Sequence, residues 1–174
     1  MKPSPTENMV AAAMKPENGE SAIELWLLSA DGKVNEKIHL PSDMSQSCAS
    51  DLTALEWSPS GVSFLVQFEG LSLNDCSPEL RLYQVNEKKW LNSAQPPNNL
   101  KPYDKEYFFI YWSPEGRWVS WQFNDTLLIY STDDWEIVRE IDLWGSSMSV
   151  LTYPWVIDGN INSIITLEKS DLSY

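Results

Sequence analysis

Two stretches of the chain carry the same alternation of apolar and polar positions around a turn that contains glycine. Residues 107–123 predict a strand ending at Trp112, a Ser-Pro-Glu-Gly turn and a second strand. Residues 52–68 predict the same elements, with Trp57 before a Ser-Pro-Ser-Gly turn. The two tryptophans lie 55 residues apart, from 57 to 112. The agreement extends to both faces of the second strand, where Val119, Trp121, Gln122 and Phe123 correspond to Phe64, Val66, Gln67 and Phe68.

Each copy continues into two further predicted strands. The first copy is followed by residues 79–85 and a weak strand near Trp90, and the second by residues 126–131 and 136–142. Four strands in succession predict one antiparallel unit. An opening hairpin over residues 23–40, with its turn at Asp31-Gly32, fits the third and fourth strands of such a unit.

A third unit begins at residue 148, where Trp155 precedes Gly159 by four residues as in the other copies. This copy is degenerate, since it lacks the Ser-Pro pair and its turn must be one residue longer. The opening hairpin, the two copies and the degenerate unit therefore contain two, four, four and two strands. Together these strands would make three units of four.

The Trp-Ser-Pro-x-Gly motifs at 57–61 and 112–116 resemble the blades of TolB-like and WD-repeat-like β-propellers, in which this motif joins the innermost and second strands. The resemblance covers residues 23–168, although the Gly-His and Trp-Asp signatures of WD repeats are missing. It implies an all-β fold of four-stranded blades and no particular function. The repeat positions are Trp57, Pro59, Gly61, Trp112, Pro114, Gly116, Trp155 and Gly159.

Three blades are fewer than the four to eight of closed propellers, and three explanations stay open. The chain is a piece of a longer propeller, or its final half-blade pairs with the opening hairpin of a second copy to close a ring, or the strands form an irregular curved sheet. Residues 1–22 are rich in proline and poor in apolar side chains, so we expect a disordered leader before a repeat domain at 23–174.

The composition of the chain limits the classes of binding partner that we expect. The 174 residues are 43% apolar, enough for a core, and carry a net charge of −13. This charge repels nucleic acid and anionic membranes and favours a basic protein partner. No apolar run reaches membrane-spanning or signal-peptide length, so the expected location is cytoplasmic unless an export signal has been removed.

The sequence contains few residues that could act in catalysis or bind a metal or cofactor. His39 is the single histidine, and no nucleophile set, calcium loop, phosphate-binding loop or zinc spacing appears, so we expect no metal, no cofactor and no enzymatic activity. Cys48 and Cys76 fall in two loops at the same end of one unit, where a disulfide would form only in an oxidising compartment. Most tryptophans lie on predicted strands and are expected in the core. The candidates for exposed contacts are Trp135, Trp144 and Trp155.

The expected function is that of a non-catalytic interaction scaffold, which binds a protein partner through long loops at 41–50, 69–78 and 91–105. Two alternatives belong to other classes. One is the gating propeller of a larger hydrolase such as an oligopeptidase, and the other is a carbohydrate-binding module that uses exposed tryptophans.

Overall fold

The computed structural model describes residues 1–14, 23–41, 51–69, 78–97, 109–123 and 126–142. Their strands form three antiparallel four-stranded sheets, each with its strands in chain order. The first sheet contains β1 (Lys2–Pro3), β2 (Met9–Met14), β3 (Glu24–Ser29) and β4 (Val34–Ile38). The second contains β5 (Asp51–Trp57), β6 (Ser63–Glu69), β7 (Glu79–Gln84) and β8 (Lys89–Ala94). The third contains β9 (Phe109–Trp112), β10 (Trp118–Phe123), β11 (Thr126–Ser131) and β12 (Ile137–Asp142).

The chain divides into two compact units. Unit 1, residues 1–102, holds the first and second sheets, and unit 2, residues 103–174, holds the third sheet. The predicted all-β fold and the predicted repeat of four strands are therefore confirmed. None of the described residues forms a helix long and apolar enough to cross a membrane.

The predicted disordered leader is wrong for the part of residues 1–22 that the structure describes. Strand β2 pairs along its whole length with β3, from Met9 opposite Ser29 to Met14 opposite Glu24. Strand β1 adds two residues at the other side of β2. Small side chains make this possible, since Ala11 and Ala12 are fully buried although the segment has little apolar surface of its own. Pairing with a strand that is already folded offsets the ordering entropy, which no local sequence pattern reveals.

This correction changes the distribution of strands. The opening hairpin does form the third and fourth strands of a sheet, as predicted, but its first and second strands come from the N-terminal segment of the same chain. Three complete sheets thus lie within residues 2–142. The proposed third unit around Trp155 lies outside the described residues.

The core of unit 1 lies between the first and second sheets. Side chains of the first sheet, among them Ala11, Leu25 and Leu27, meet a row of aromatic residues from the second sheet. The rings follow one another at centroid distances of 5.2 Å (Trp57–Phe64), 5.4 Å (Phe64–Tyr83) and 5.2 Å (Tyr83–Trp90). Such pairs each add about 0.5–1.5 kcal/mol beyond the area that they bury.

The polar ends of three of these aromatic residues bind the first sheet. The Trp57 indole donates to the carbonyl of Lys2 at 2.9 Å, and the Trp90 indole donates to the carbonyl of His39 at 2.7 Å. The Tyr83 hydroxyl donates to the carboxylate of Glu36 at 2.9 Å. Each ring therefore contributes apolar area to the core and a hydrogen bond that fixes the position of the neighbouring sheet.

Polar side chains of the second strands are also buried. Gln67 on β6 and Ser120 on β10 have no exposed surface, and Gln122 is buried as well. Alternation predicts a solvated face, but a strand covered on both sides buries all of its side chains. The Gln67 amide has no hydrogen-bond partner among the residues that the structure describes, an arrangement that costs stability.

We expect Tyr83→Phe to destabilise the chain by about 1 kcal/mol at neutral pH, because the hydrogen bond to Glu36 is lost. Burial, and then the Glu36 carboxylate, raise the pKa of Tyr83 above its ordinary value of 10.0. The stability from the neutral phenol is therefore complete below pH 10 and lost as the pH rises toward the folded pKa. In urea unfolding between pH 7 and 11, the free energy of unfolding of the variant should fall less with rising pH than that of the wild-type chain. Equal stability and equal pH dependence would contradict this role.

Candidate binding surface

The turns between β5 and β6 and between β9 and β10 have the same geometry. In the first, the Gly61 amide donates to the Ser58 carbonyl at 2.9 Å, and Gly61 has a φ of +70°, which glycine adopts without strain. The Ser58 amide donates to the Ser63 carbonyl at 2.9 Å, and the Ser58 hydroxyl accepts from the Ser63 amide at 3.3 Å. All three bonds recur in the second turn, formed by Ser113, Gly116 and Trp118.

A third turn of this kind lies at the N-terminus, where it was missed in the sequence. The Ser4 amide donates to the Met9 carbonyl at 2.8 Å, and the Ser4 hydroxyl accepts from the amides of Thr6 and Glu7. The Ser-Pro pair starting at Ser4 precedes the pair at 58 by 54 residues, and that pair precedes the one at 113 by 55. The regular spacing of the Ser-Pro pairs is the feature of the sequence that could have predicted this turn. It was hidden because Pro3 stands at the tryptophan position and Glu7 at the glycine position.

Within unit 1, the N-terminal turn contacts the turn between β5 and β6. The Thr6 hydroxyl donates to the Ser60 carbonyl at 3.0 Å, and a Cβ at Gly61 would overlap that hydroxyl. Lys2 forms an ion pair with Glu56 at 2.6 Å, which contributes little because both side chains are solvated. Gly61 thus meets two requirements, a left-handed backbone and the close approach of the neighbouring turn.

Each sheet also has one residue in the left-handed region in the hairpin between its third and fourth strands. These residues are Gly32 (φ +82°), Lys88 (φ +51°) and Trp135 (φ +61°). A bulky side chain is rare in this region, because its Cβ crowds the backbone. Trp135 keeps the conformation through its amide, which donates to the Ser131 carbonyl at 3.0 Å. Its ring is only partly buried.

In the third sheet the two turns form one rigid surface, which we call the turn platform (residues 113–118 and 131–136). Thr132 joins them, because its amide donates to the Arg117 carbonyl and its hydroxyl to the Gly116 carbonyl, both at 3.0 Å. The Arg117 guanidinium lies over the Trp118 ring, 5.6 Å from its centroid. The platform therefore presents two indoles, those of Trp118 and Trp135, on a fixed backbone.

The platform is acidic. Glu115, Asp133 and Glu136 are exposed, and no ion pair joins them to any basic residue in the described part of unit 2, which contains only Arg117 and Arg139. Asp134 is exposed too, and its pKa is lowered because its carboxylate accepts the Glu136 amide and the Ser131 hydroxyl.

The corresponding turns of unit 1 differ in charge. Asp31 pairs with Lys33 at 2.7 Å, and this lysine and the Ser29 hydroxyl lower the pKa of Asp31. Glu87 likewise pairs with Lys89. Carboxylates without an ion-pair partner beside partly exposed indoles are a feature of the platform, and the combination suits a cationic ligand.

The remaining sequence candidates are not placed by the structure. Trp144, Trp155 and Gly159 lie outside the described residues, as do Cys48 and Cys76. So do most of the long loops expected to bind, since residues 42–50, 70–77 and 98–108 are not described. Within the described part of the chain, no three histidine, cysteine or acidic side chains lie close enough together to hold a metal ion.

Comparison with known proteins supports the architecture. No protein-family model matches the chain, and no curated protein matches it. Among solved structures, the Dos1 propeller superposes with a TM-score of 0.57 at 12% identity, over 85% of this chain and 34% of its own. The three sheets are β-propeller blades. A second similar structure, the dihydro-heme d1 dehydrogenase NirN, reaches a TM-score of 0.49 at 18% identity over 81% of this chain, too low to carry an argument.

The chain spans about a third of the Dos1 propeller and a quarter of NirN. At these identities the likeness shows the fold alone, and the blades say nothing by themselves about what the chain binds.

We expect Gly61→Ala to cost more stability than Gly32→Ala. Both glycines have positive φ, so each alanine costs about 1 kcal/mol in backbone strain. Only the Cβ at position 61 meets a neighbour, and the open space at Gly32 makes it the matched control. Thr6→Ala in the Gly61→Ala background should recover part of the difference. Equal losses in thermal unfolding for the two single variants would show that the turns do not pack together.

We also expect Trp135→Gly to be more stable than Trp135→Ala by about 1 kcal/mol, because both lose the ring and only glycine tolerates the left-handed backbone. Trp118 is a strand residue without positive φ, so Trp118→Ala should be more stable than Trp118→Gly. Chemical denaturation of the four variants measures both differences. The same order at both positions would contradict the conformation of Trp135.

Proposed function

We propose that the chain is a non-catalytic protein-binding module and that the turn platform of the third blade binds a basic segment of a partner protein. The observation that carries the proposal is Trp135, whose partly exposed indole stands in a strained backbone between unneutralised carboxylates. Strained residues of this kind concentrate at functional sites, since selection for stability alone would favour glycine.

Charge supports a cationic partner. The whole chain carries −13, which attracts basic proteins from a distance and speeds their association. At the platform, a lysine or arginine side chain can contact an indole face and a carboxylate at the same time. Both contacts favour a cation over a neutral side chain. Tryptophan is also the residue type most enriched among those that dominate binding energy at interfaces.

The hydrogen bonds within the platform also support the proposal, because they hold the binding surface in place before a ligand arrives. Thr132 holds the two turns together through two hydrogen bonds, and Asp134 caps the backbone beside the indole. Loops that are already ordered lose little entropy when a ligand binds. We further propose that the blades belong to the TolB-like and WD-repeat-like kind, which the three Ser-Pro turns at 54- and 55-residue spacing support.

The test uses surface-immobilised peptides of equal length in which zero, two, four or six positions are lysine or arginine. We expect the intact chain to bind the peptides in order of charge and to lose affinity between 50 and 300 mM salt. Asp133→Asn/Glu136→Gln should weaken binding about fivefold, and Trp135→Gly should weaken it further.

The matched control is Asp31→Asn/Glu87→Gln, which also removes two negative charges, but from the equivalent turns of unit 1. It should leave binding nearly unchanged. Equal weakening by the two double variants would mean that net charge alone attracts the peptides, and the platform proposal would fail. An absence of charge dependence in the peptide series would also overturn it.

A further inference from the structure

The last strand of the third blade, β12, is exposed along most of its length and forms one edge of its sheet. β12 pairs with β11 on one side, and among the described residues no strand pairs with its other side. Its first four residues are exposed, with Ile137 at 36% and Val138 at 44%. The edge of a sheet presents backbone donors and acceptors that a further strand can bind. We call this side of β12 the open edge (residues 137–142).

The equivalent strands of unit 1 are protected in two ways that β12 lacks. Their side chains belong to packed regions, since Ile38 in β4 and Ala94 in β8 are buried and Trp90 packs against the core of unit 1. Each strand also carries a lysine, Lys37 in β4 and Lys89 in β8. Lysine on an edge strand is a common protection against pairing with another chain. β12 has no lysine and only one basic residue, an arginine. A register shift beside the fourth strand occurs in all three sheets and does not distinguish them.

The charge of the open edge selects among possible partners. From Glu136 to Asp142 the chain holds three carboxylates and one guanidinium, that of Arg139. Pairing two copies of this edge brings an excess of negative charge together, which disfavours self-association. A strand that carries lysine or arginine neutralises the excess. The register places Glu140 and Asp142 on one face of the sheet and Arg139 on the other, so the basic side chains are needed on one face only.

The open edge continues the turn platform. The platform ends at residue 136, and β12 begins at the next residue. The Trp135 amide binds the Ser131 carbonyl and the Glu136 amide binds the Asp134 carboxylate, so the backbone is fixed where the platform meets the strand. An extended segment that contacts the Trp135 indole is therefore led onto the open edge.

We propose that the basic segment bound by the turn platform adds to the third blade as a fifth strand, hydrogen-bonded to the open edge and carrying lysine or arginine at every second position. The fifth strand rests on the proposed function, because it is the conformation and the side-chain pattern of the same ligand. Backbone hydrogen bonds supply affinity when a peptide extends a sheet, and alternate side chains supply specificity.

Two peptides of equal length and composition test the pattern. One alternates lysine with threonine, and the other has the same lysines in a single block. We expect the intact chain to bind the alternating peptide about fivefold more tightly. Binding should also slow amide hydrogen exchange over residues 137–142, because the outer backbone groups of β12 become paired.

N-methylation of the central amides of the alternating peptide separates backbone pairing from charge. It keeps every lysine and removes the donors that bind the open edge, so binding should weaken about tenfold. The control peptide carries the same number of N-methyl groups at its two ends and should bind more tightly than the centrally methylated peptide. Both peptides are used with the wild-type chain, so no variant has to fold.

Val138→Lys places on the open edge the lysine that the equivalent strands have. It should weaken binding of the alternating peptide roughly fivefold and leave thermal unfolding unchanged, because the side chain is exposed. Val34→Lys is the matched control, since Val34 is 46% exposed on β4 of the first blade. This control should bind as the wild-type chain does.

The outcomes separate the fifth strand from the proposed function. Salt-dependent binding that ignores both the alternation and the central N-methyl groups, without slower exchange over residues 137–142, overturns the fifth strand and leaves the proposed function standing. Equal weakening by the two lysine variants also overturns the fifth strand, because the added charge then acts at a distance. Binding that does not depend on peptide charge overturns the proposed function and the fifth strand together.

Discussion

The packing of the aromatic row of the second blade against the first blade is the interaction on which unit 1 depends. Trp57, Tyr83 and Trp90 bury their rings between the sheets and donate hydrogen bonds to the first blade. Two of these bonds end on backbone carbonyls, so they fix the chain path at Lys2 and His39 regardless of the side chains there. The first blade, whose second strand is mostly alanine and methionine, is held in place by aromatic residues of the second blade.

The turns add a second constraint that is local and repeated. All three Ser-Pro turns use the same backbone bond between a serine and the residue five positions later. The hairpins at the same end of each blade use one left-handed residue. These devices hold the blade ends rigid, which is what a recognition surface requires. The third blade departs from the pattern by placing tryptophan in the strained position, and the departure marks the platform.

The turn platform of unit 2 is suited to a positively charged ligand. The platform attracts through carboxylates without an ion-pair partner and partly exposed indoles, and its affinity falls with salt.

The blade architecture could be predicted from patterns that are local in the chain. The doubled Trp-Ser-Pro-x-Gly motif marked the turns, and correspondences such as Tyr83 with Tyr130 hold in the strand register. These features are local, because turn chemistry and alternation act within a few residues.

Other features depend on how distant segments of the chain pack in the folded protein. This packing turned the N-terminal segment from a leader into the first two strands of a blade, because Ala11 and Ala12 gain their burial from strands outside the segment. It buried Gln67 and Ser120, although both are polar. It also gave Trp135 its left-handed backbone, which depends on bonds to Ser131 and on the second turn held by Thr132. Each of these outcomes requires knowing what lies on the other side of a strand, and a single chain read in order does not contain that information.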